Sequence, residues 1–183
     1  NKLNSINQKK FVVAVSGGPD SLALAALTKA YTYYHKSKFY YVLINHNIRR
    51  NSLQEAKKVK NLLQKKKIYL KIISNKKKIE KNIQGEARKI RNELLSNFCL
   101  KNNIRSLVTE HNLGDQVETF LIRLSRGSGL RGLSAMRPKS KINSKIDLYR
   151  PLLDTKKEFL IKISKKTFGN FLKDPSNKNL KYL

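Results

Sequence analysis

The sequence predicts an α/β fold, with a doubly wound, mostly parallel sheet and helices on both faces. Two observations support this fold class. Short apolar runs alternate with longer segments of helical periodicity, and crossovers of that length join parallel strands. The first apolar run also stops at an abrupt Ser-Gly-Gly turn before a helical segment, which is typical of the strand-to-helix turns at which such sheets bind ligands.

The elements follow in order along the chain. Runs rich in Val, Ile, Leu, Tyr and Phe predict buried strands at 11–15, 39–44, 68–73 and 104–108. Helix formers with apolar residues three and four apart, such as Leu53, Ala56 and Val59, predict helices at 22–34, 52–66 and 83–101. Further helices are predicted at about 113–126 and 154–167, separated by a Gly-rich loop and by a polar, lysine-rich stretch at 138–146 that we expect to be an exposed loop or an inserted turn.

The composition limits the possible functions. The 183 residues match one domain in size, and Cys99 is the only cysteine. One cysteine excludes a disulfide framework, a Cys-based zinc site and paired-thiol chemistry, so we expect Cys99 to be a small buried hydrophobe. No apolar run approaches the ~20 residues that span a bilayer, and the first residues lack a signal-peptide core. We therefore expect no membrane partner and an intracellular location.

The formal net charge of +28 is extreme for this length. Such a field attracts polyanions with salt-sensitive affinity, although the codon usage of an AT-rich genome would also enrich Lys, Asn and Ile. Clustered arginines are better evidence for a nucleic-acid partner, because a guanidinium matches a phosphate bidentately. Two pairs share a helical face: Arg88 with Arg91, and Arg123 with Arg126 before a Gly-Ser-Gly turn. Gly127 would also end that helix.

The turn after the first strand is a candidate phosphate site and comprises Ser16, Gly17, Gly18, Pro19, Asp20 and Ser21. Adjacent glycines allow main-chain N–H groups to converge on an anion near a helix N-terminus. The spacing does not fit the Walker P-loop, and a carboxylate stands in place of its lysine. A carboxylate beside phosphates is useful if it holds a divalent cation such as Mg²⁺. The alternative is an ordinary turn in which Ser16 or Asp20 caps the helix.

Polar clusters follow three of the predicted strands: Ser16-Gly17-Gly18, Asn45-His46-Asn47 and Thr109-Glu110-His111-Asn112. Because ligands of doubly wound sheets bind beyond the carboxyl ends of the strands, we expect these clusters to meet at one edge. His46 and His111 could each touch a base or a ribose, or be structural. Neither has partners at a spacing that suggests zinc.

Asp115 and Glu118 lie three residues apart at the start of the fourth predicted helix. Both carboxylates therefore face the same way near its N-terminus and could bind a metal or the ammonium group of an amine substrate. The alternative is that they complement the helix dipole, with Asn112 as the cap.

These motifs together resemble the PP-loop ATPase family, and within it the tRNA(Ile)-lysidine synthases. The resemblance covers nearly the whole chain, through 16–21, 45–49, 82–91, 111–119, 123–129, 150–153 and 174–177. It implies a Rossmann-like fold of the adenine nucleotide alpha hydrolase type, in a single PP-loop ATP-binding domain over 1–183. Its core would be about 9–170, and 171–183 would begin a linker or a further domain.

The resemblance also implies a function. ATP and Mg²⁺ would adenylate the wobble cytidine of the CAU anticodon of tRNA(Ile), and free L-lysine would displace AMP to give lysidine, in a bacterial cytoplasm or a plastid stroma. The alternatives are another PP-loop tRNA-modifying ATPase, such as a thiolase, or a silent basic RNA-binding module. The oligomeric state stays open, with a homodimer as one alternative.

The resemblance assigns roles to residues of this chain. Asp20, Asp115, Glu118 and Arg88 would be catalytic, with Asp20 also holding the metal. Ser16 to Ser21 and His46 would bind ATP, and Arg91, Arg123, Arg126 and Arg131 would bind tRNA. The chain departs from the family pattern at Asn112, Gly114 and Lys173, where a histidine, an aspartate and an acid are common.

Overall fold

The computed structural model describes residues 9–79, 81–129, 134–169 and 171. Its six strands are β1 (Lys10–Ala14), β2 (Lys38–Asn45), β3 (Leu70–Ser74), β4 (Ser106–Val108), β5 (Lys139–Asn143) and β6 (Ile146–Tyr149). Its five helices are α1 (Pro19–Tyr31), α2 (Ser52–Gln64), α3 (Ile83–Lys101), α4 (Leu113–Ser125) and α5 (Lys157–Phe168). In the described part of the chain, no helix has the length and apolar character needed to cross a bilayer.

All six strands form one sheet in the order β3-β2-β1-β4-β6-β5. Every neighbouring pair is parallel except β5 with β6. The chain moves outward from β1 to β3 and then returns to place β4 on the other side of β1. The carboxyl ends of β1 and β4 therefore flank a topological switch point, where ligands bind in such folds. The predicted doubly wound, mostly parallel fold is confirmed.

The two faces of the sheet carry separate apolar cores because side chains alternate along each strand. Phe11 and Val13 of β1 pack in one core with residues of α1, α2 and α5. Val12 and Ala14 pack in the other core, with Leu95 and Cys99 of α3. Cys99 is fully buried, as expected, and burial raises the pKa of its thiol to about 12. The cores fix the strands whose ends build the site.

The expectation of an exposed loop or an inserted turn at 138–146 missed a β-hairpin, because this segment contains β5, the turn that follows it and the start of β6. β5 is the edge strand and pairs antiparallel with β6. The Asn143 side chain accepts hydrogen bonds from the backbone N–H groups of Lys145 and Ile146, both at 3.0 Å, and closes the turn. The many lysines hid the strand pattern, yet lysine is a common residue on exposed edge strands because it discourages pairing with other chains.

Two helices differ from the prediction in ways that bear on the site. α1 begins at Pro19, three residues earlier than predicted, so Asp20 and Ser21 belong to its first turn. α4 coincides closely with its predicted range, but none of its side chains is buried. Its apolar residues Val117, Leu121 and Leu124 are each more than half exposed.

Candidate functional site

The turn after β1 is held in a fixed shape by Ser21. The Gly17 N–H donates to Ser21 Oγ at 3.0 Å, and the Ser21 hydroxyl donates to the Gly18 carbonyl oxygen at 3.0 Å. Gly17 has a φ of +93°, which side chains rarely adopt. Gly18 caps α1 without any side-chain hydrogen bond. The N-terminus of α1 is thus bare of side-chain caps, and backbone N–H groups at such a terminus favour an anion.

Asp20 lies in the first turn of α1 and is half-buried. Its Oδ2 accepts a hydrogen bond from Asn112 Nδ2 at 3.1 Å, while Oδ1 is buried without a hydrogen-bond partner. Burial raises the pKa of this carboxyl; Lys157 opposes the effect, and the charges of Asp115 and Glu110 add to it. A carboxylate with an unused buried oxygen and acidic neighbours is suited to a divalent cation.

The start of α4 forms a capping box. Asn112 Oδ1 accepts from Gly114 N at 2.7 Å and more weakly from Asp115 N, and Asp115 Oδ2 accepts from Asn112 N at 2.8 Å. The capping interpretation of Asn112 and Asp115 therefore holds. The charge of Asp115 also acts on Asp20, so the cap lies beside the turn after β1. Glu118, one turn later, is exposed.

Thr109 and His111, between β4 and α4, lie at the same carboxyl edge of the sheet. The Thr109 hydroxyl and His111 Nδ1 are 3.0 Å apart. Burial is the largest effect on the pKa of His111 and lowers it. The charge of Glu110 acts to raise this pKa, and the charge of Arg150 acts to lower it. His111 is therefore mainly neutral near pH 7, so its ring can both donate and accept a hydrogen bond.

Arg91 of α3 binds Glu110 after β4. Arg91 Nη2 lies 3.0 and 3.1 Å from the two carboxylate oxygens of Glu110. Burial on its own would raise the pKa of Glu110, but the Arg91 charge holds it below its ordinary value. Arg91 was predicted to bind tRNA, and the structure places it in an ion pair at the carboxyl edge of the sheet. Arg88, one turn earlier, is exposed.

His46 follows β2 within a network of asparagines. Asn45 and Asn47 hydrogen-bond each other, and Asn47 Nδ2 donates to the Asn75 carbonyl oxygen at 2.8 Å. His46 is half-buried, and its Nδ1 is buried without a partner. Burial, and then the charge of Arg91, lower its pKa, so it too is mainly neutral near pH 7.

A cavity of about 1130 Å³ lies between the exposed side of α4 and the start of α5. Its lining includes Gln84, Glu118, Leu121, Arg126 and Lys157. Since Lys157 also acts electrostatically on Asp20, the cavity adjoins the acidic part of the edge. Arg123 donates from Nη1 to the Ser134 carbonyl oxygen. Arg131, predicted to bind tRNA, lies outside the described residues.

Arg150 is the site residue to which the sequence reasoning gave no role. It directly follows β6 at the same edge and is only 9% exposed. Its Nη1 donates to the Arg137 carbonyl oxygen and to Ser140 Oγ, both at 2.9 Å. The motif at 150–153 contains Arg150, but the resemblance gave that residue no role, and the strand at 146–149 that positions it was itself not predicted.

The structure thus brings Asp20, Asp115, Arg91 and His111 together at the switch point between β1 and β4. His46 stands at the end of the neighbouring β2. Within the described ranges, no three His, Cys, Asp or Glu side chains are arranged as a metal-binding group. A cation held by Asp20 would therefore need further oxygen ligands from a nucleotide or from water, which is how Mg²⁺ is usually held beside phosphates.

Comparison with known proteins gives one family. Residues 1–183 match the family model ATP_bind_3, described as a PP-loop domain. Over 187 residues the chain is 39% identical to the tRNA(Ile)-lysidine synthase of Wolbachia pipientis wMel, covering 98% of this chain and 43% of that protein. It is 37% identical over 186 residues to the enzyme of that name from Zymomonas mobilis, covering 98% and 55%.

The chain therefore spans about half or less of the length of these curated relatives. Among solved structures, a U34-tRNA thiolase from Methanococcus maripaludis superposes with a TM-score of 0.74 at 17% identity. That match covers 92% of this chain and 59% of the thiolase. At this identity the likeness bears on the fold alone.

Proposed function

We propose that this chain, which belongs to the PP-loop domain family, is the ATP-using part of a tRNA(Ile)-lysidine synthase. Its substrates would be ATP, free L-lysine and the tRNA(Ile) that carries a CAU anticodon. The product would be lysidine at the wobble position, with release of AMP and pyrophosphate. The reaction would take place in a bacterial cytoplasm or a plastid stroma.

The observation that carries the proposal is the hydrogen bond between Asn112 and Asp20. It joins the turn after β1, which is suited to phosphates, to the start of α4 with its carboxylates. A reaction that transfers the adenylyl part of ATP to a second substrate needs these two surfaces in contact, because the reacting groups must lie about 3 Å apart.

The turn from Ser16 to Ser21 would hold the β- and γ-phosphates, which leave as pyrophosphate. Asp20, with its unused buried Oδ1, fits Mg²⁺, which when bound would neutralise phosphate charge. The C2 carbonyl oxygen of cytidine would attack the α-phosphorus, and the bond to the bridging oxygen of pyrophosphate would break. The anticodon base is already unstacked, so no duplex need be opened.

In the second step the lysine amine would attack C2 of the activated base, and AMP would leave with the C2 oxygen. The amine must first lose a proton, which the carboxylate of Glu118 could accept. Glu118 is exposed in the cavity and is the better candidate to hold this amine. Asp115 uses one carboxylate oxygen to cap α4, so its second oxygen is what remains for the amine or the metal.

The side chains around this centre would position and neutralise rather than react. His46 and His111 are neutral near pH 7 because burial lowers their pKa values, and each could hydrogen-bond a base or a ribose. Arg88 would supply positive charge for the departing phosphates. The phosphates of the tRNA backbone would be bound by four arginines: Arg91, Arg123, Arg126 and Arg131. This assignment is consistent with the net charge of +28.

Sulfur transfer, the main enzymatic alternative, is disfavoured by the cysteine content. The sequence has one cysteine. Its thiol is fully buried in the core that faces α3, and its pKa is raised to about 12. A thiol in that position forms too little thiolate near pH 7 to attack a substrate. A silent RNA-binding module remains as the other alternative.

The test is to incubate the chain with ATP, Mg²⁺, labelled L-lysine and a tRNA(Ile) transcript that carries CAU. We expect label in the RNA, together with pyrophosphate release that requires both ATP and tRNA. A transcript whose wobble cytidine is replaced by uridine is the matched control and should stay unlabelled. Binding of tRNA that is indifferent to ATP and Mg²⁺, without pyrophosphate release, would instead indicate a silent RNA-binding module.

A further inference from the structure

At the edge of the sheet opposite the candidate site, the amino ends of β1, β2 and β3 form a basic surface. Three segments build it: 9–10 leads into β1, 33–38 joins α1 to β2, and 65–69 joins α2 to β3. They contain seven lysines, all of them exposed, and neither Asp nor Glu. In the described part of the chain, no ion pair includes any of these lysines. This amino-edge surface therefore carries seven positive charges with no acidic partner among the described residues.

Two of these lysines lie side by side at neighbouring strand starts. Lys10 of β1 is the register partner of Lys38 of β2, and the Lys38 N–H donates to the Lys9 carbonyl oxygen at 2.7 Å. Adjacent strands are about 5 Å apart, and like charges at paired positions repel. Helix dipoles favour cations only near the last turn of a helix, whereas 9–10 and 33–38 lie outside the helices. A bound polyanion would relieve this repulsion.

Lys67 occupies a backbone position that favours glycine. The chain leaves α2 through a Schellman motif, in which the Lys67 N–H donates to the Gln64 carbonyl oxygen at 2.9 Å and the Ile68 N–H donates to that of Leu63 at 3.1 Å. Lys67 is the left-handed residue of this motif, with a φ of +55°. Glycine is usual there because a side chain strains this conformation. The sequence thus has a lysine where glycine would cost less, and its exposed ammonium group adds to the amino-edge surface.

The same surface presents three exposed tyrosine rings. Tyr33 is 76% exposed, Tyr34 85% and Tyr69 76%, and the other tyrosines of the described residues are buried or partly buried. Lys29 Nζ lies 5.9 Å from the centre of the Tyr33 ring, so a cation and a ring are adjacent. A compositional bias towards lysine and tyrosine acts along the whole chain, and it does not gather the exposed rings at one edge.

Both tyrosine-bearing segments are fixed by the core beneath them. The Tyr31 ring stacks on His35 at 3.9 Å and meets the edge of Phe39 at 6.0 Å, so the turn that carries the two tyrosines between them is held at both ends. Tyr69 stands between two residues that are almost fully buried. Rings on a fixed backbone lose little conformational entropy when they bind a partner.

We propose that the amino-edge surface binds single-stranded RNA, with phosphates on its lysines and unpaired bases stacked on Tyr33, Tyr34 and Tyr69. Folded RNA exposes such bases in loops, bulges and ends. A membrane is a poorer partner, because membrane-binding faces use Leu, Phe and Trp, whereas the exposed apolar groups of these segments are tyrosines.

This RNA surface is separate from the candidate site. Lys38 and Asn45 stand at opposite ends of β2, about 23 Å apart at the usual rise of a strand. Binding at the amino edge therefore requires neither ATP nor Mg²⁺, and it goes beyond the proposed function.

The test measures binding of a labelled oligouridylate of about 12 nucleotides to the full chain by fluorescence anisotropy, in EDTA and without ATP. Tyr33→Leu/Tyr34→Leu removes two rings but keeps apolar side chains, and Tyr33→Phe/Tyr34→Phe is its matched control because it keeps the rings. Lys67→Gly removes one charge and the backbone strain. Its control is Arg105→Gln, which removes one exposed charge just before β4, at the same edge but outside the three segments.

We expect the affinity of the double leucine variant to fall about tenfold or more, because each stacked base is lost, and that of the double phenylalanine variant to match wild type. Lys67→Gly should lower the slope of log affinity against log salt by about 0.7 without lowering the free energy of unfolding, and Arg105→Gln should keep the slope.

Four results would overturn the proposal. They are no binding by wild type, equal affinity for an RNA duplex of the same length, equal affinities of the leucine and phenylalanine variants, and equal slopes in Lys67→Gly and Arg105→Gln. Binding to phosphatidylserine vesicles that is lost in the leucine variant, while oligouridylate binding is kept, would identify a membrane surface instead.

This inference and the proposed function fail separately. If labelled lysine never enters tRNA but oligouridylate binding depends on Tyr33 and Tyr34, the lysidine proposal fails and the RNA surface stands. If incorporation occurs and oligouridylate binding ignores both tyrosines, the RNA surface alone is wrong.

Discussion

Asn112 Nδ2 lies 3.1 Å from Asp20 Oδ2 and joins two residues 92 positions apart in the chain. Asn112 is almost fully buried and also caps α4. A single side chain thus anchors the start of α4 to the first turn of α1, across the boundary between β1 and β4. This contact therefore links the turn at 16–21 directly to the start of α4.

Replacing Asn112 with alanine removes the α4 cap and leaves Asp20 without its donor. We expect the free energy of unfolding to fall by about 2 kcal/mol, measured by urea denaturation. Asn97→Ala, at an exposed position within α3, is the matched control and should change stability little. Equal stability of the two variants would mean that the Asn112 contacts contribute nothing measurable.

Asp20→Asn tests the metal assignment. The variant keeps the size of the side chain and can still accept from Asn112, but it has no charge with which to hold a cation. We expect ATP affinity in the presence of Mg²⁺ to fall about tenfold or more, and the difference between Mg²⁺ and EDTA to disappear. Asp154→Asn, an exposed acid before α5, makes the same change of charge and should keep the Mg²⁺ effect. A persistent Mg²⁺ effect in Asp20→Asn would remove Asp20 from the metal site.

Asp20→Asn should also change how the free energy of unfolding depends on pH. The pKa of Asp20 is raised above its ordinary value of 3.8, mainly by burial, so ionising this group costs more in the folded chain than in the unfolded one. Wild type should therefore lose stability relative to Asp20→Asn as the pH rises from 3.8 through the raised pKa. Above that range the difference should be constant. Urea denaturation at a series of pH values measures it, and a difference independent of pH contradicts the raised pKa.

The ion pair between Arg91 and Glu110 should stabilise the fold near neutral pH. Arg91→Gln leaves the mostly buried carboxylate of Glu110 without its partner. We expect the free energy of unfolding to fall by about 2 kcal/mol at neutral pH. Arg91 holds the pKa of Glu110 below its ordinary value of 4.5, whereas burial on its own would raise it. The loss should therefore begin to shrink above pH 4.5, where Glu110 of the variant takes up a proton, and should vanish below the lowered pKa of the wild type. The double variant with Glu110→Gln should recover much of the stability in the same urea experiment. No recovery would mean that the pair is not the source of the effect.

A substitution at Arg126 tests whether the end of α4 binds tRNA. If Arg126 contacts a phosphate, Arg126→Gln should lower the slope of log affinity against log salt by about 1, measured by fluorescence anisotropy with the tRNA(Ile) transcript. Arg105→Gln removes the same charge at the opposite edge of the sheet and should leave the slope nearly unchanged. Equal slopes in the two variants would indicate a diffuse electrostatic effect rather than a contact.

Local sequence patterns were sufficient to predict most of the fold. The helix predicted at 83–101 has the same bounds as α3, because its apolar spacing is regular and the Asn82 side chain caps it by accepting from Gly85 N at 3.3 Å. The strand ends also brought the polar clusters to one edge, as the parallel arrangement requires. The hairpin of β5 and β6 was missed because an edge strand rich in lysine lacks the apolar alternation that identifies buried strands.

The sequence alone determined which residues have phosphate, carboxylate and guanidinium chemistry, and that most of them lie after strands. These properties depend on residue type and on spacing within a few positions, which are local. Only the tertiary structure decided the partners: Asn112 with Asp20, Arg91 with Glu110, and Arg150 with the Arg137 carbonyl oxygen and the Ser140 hydroxyl. Pairing depends on strand order and on burial, which arise from contacts between distant parts of the chain. Burial also decides what an unbalanced charge costs, and local sequence does not encode that cost.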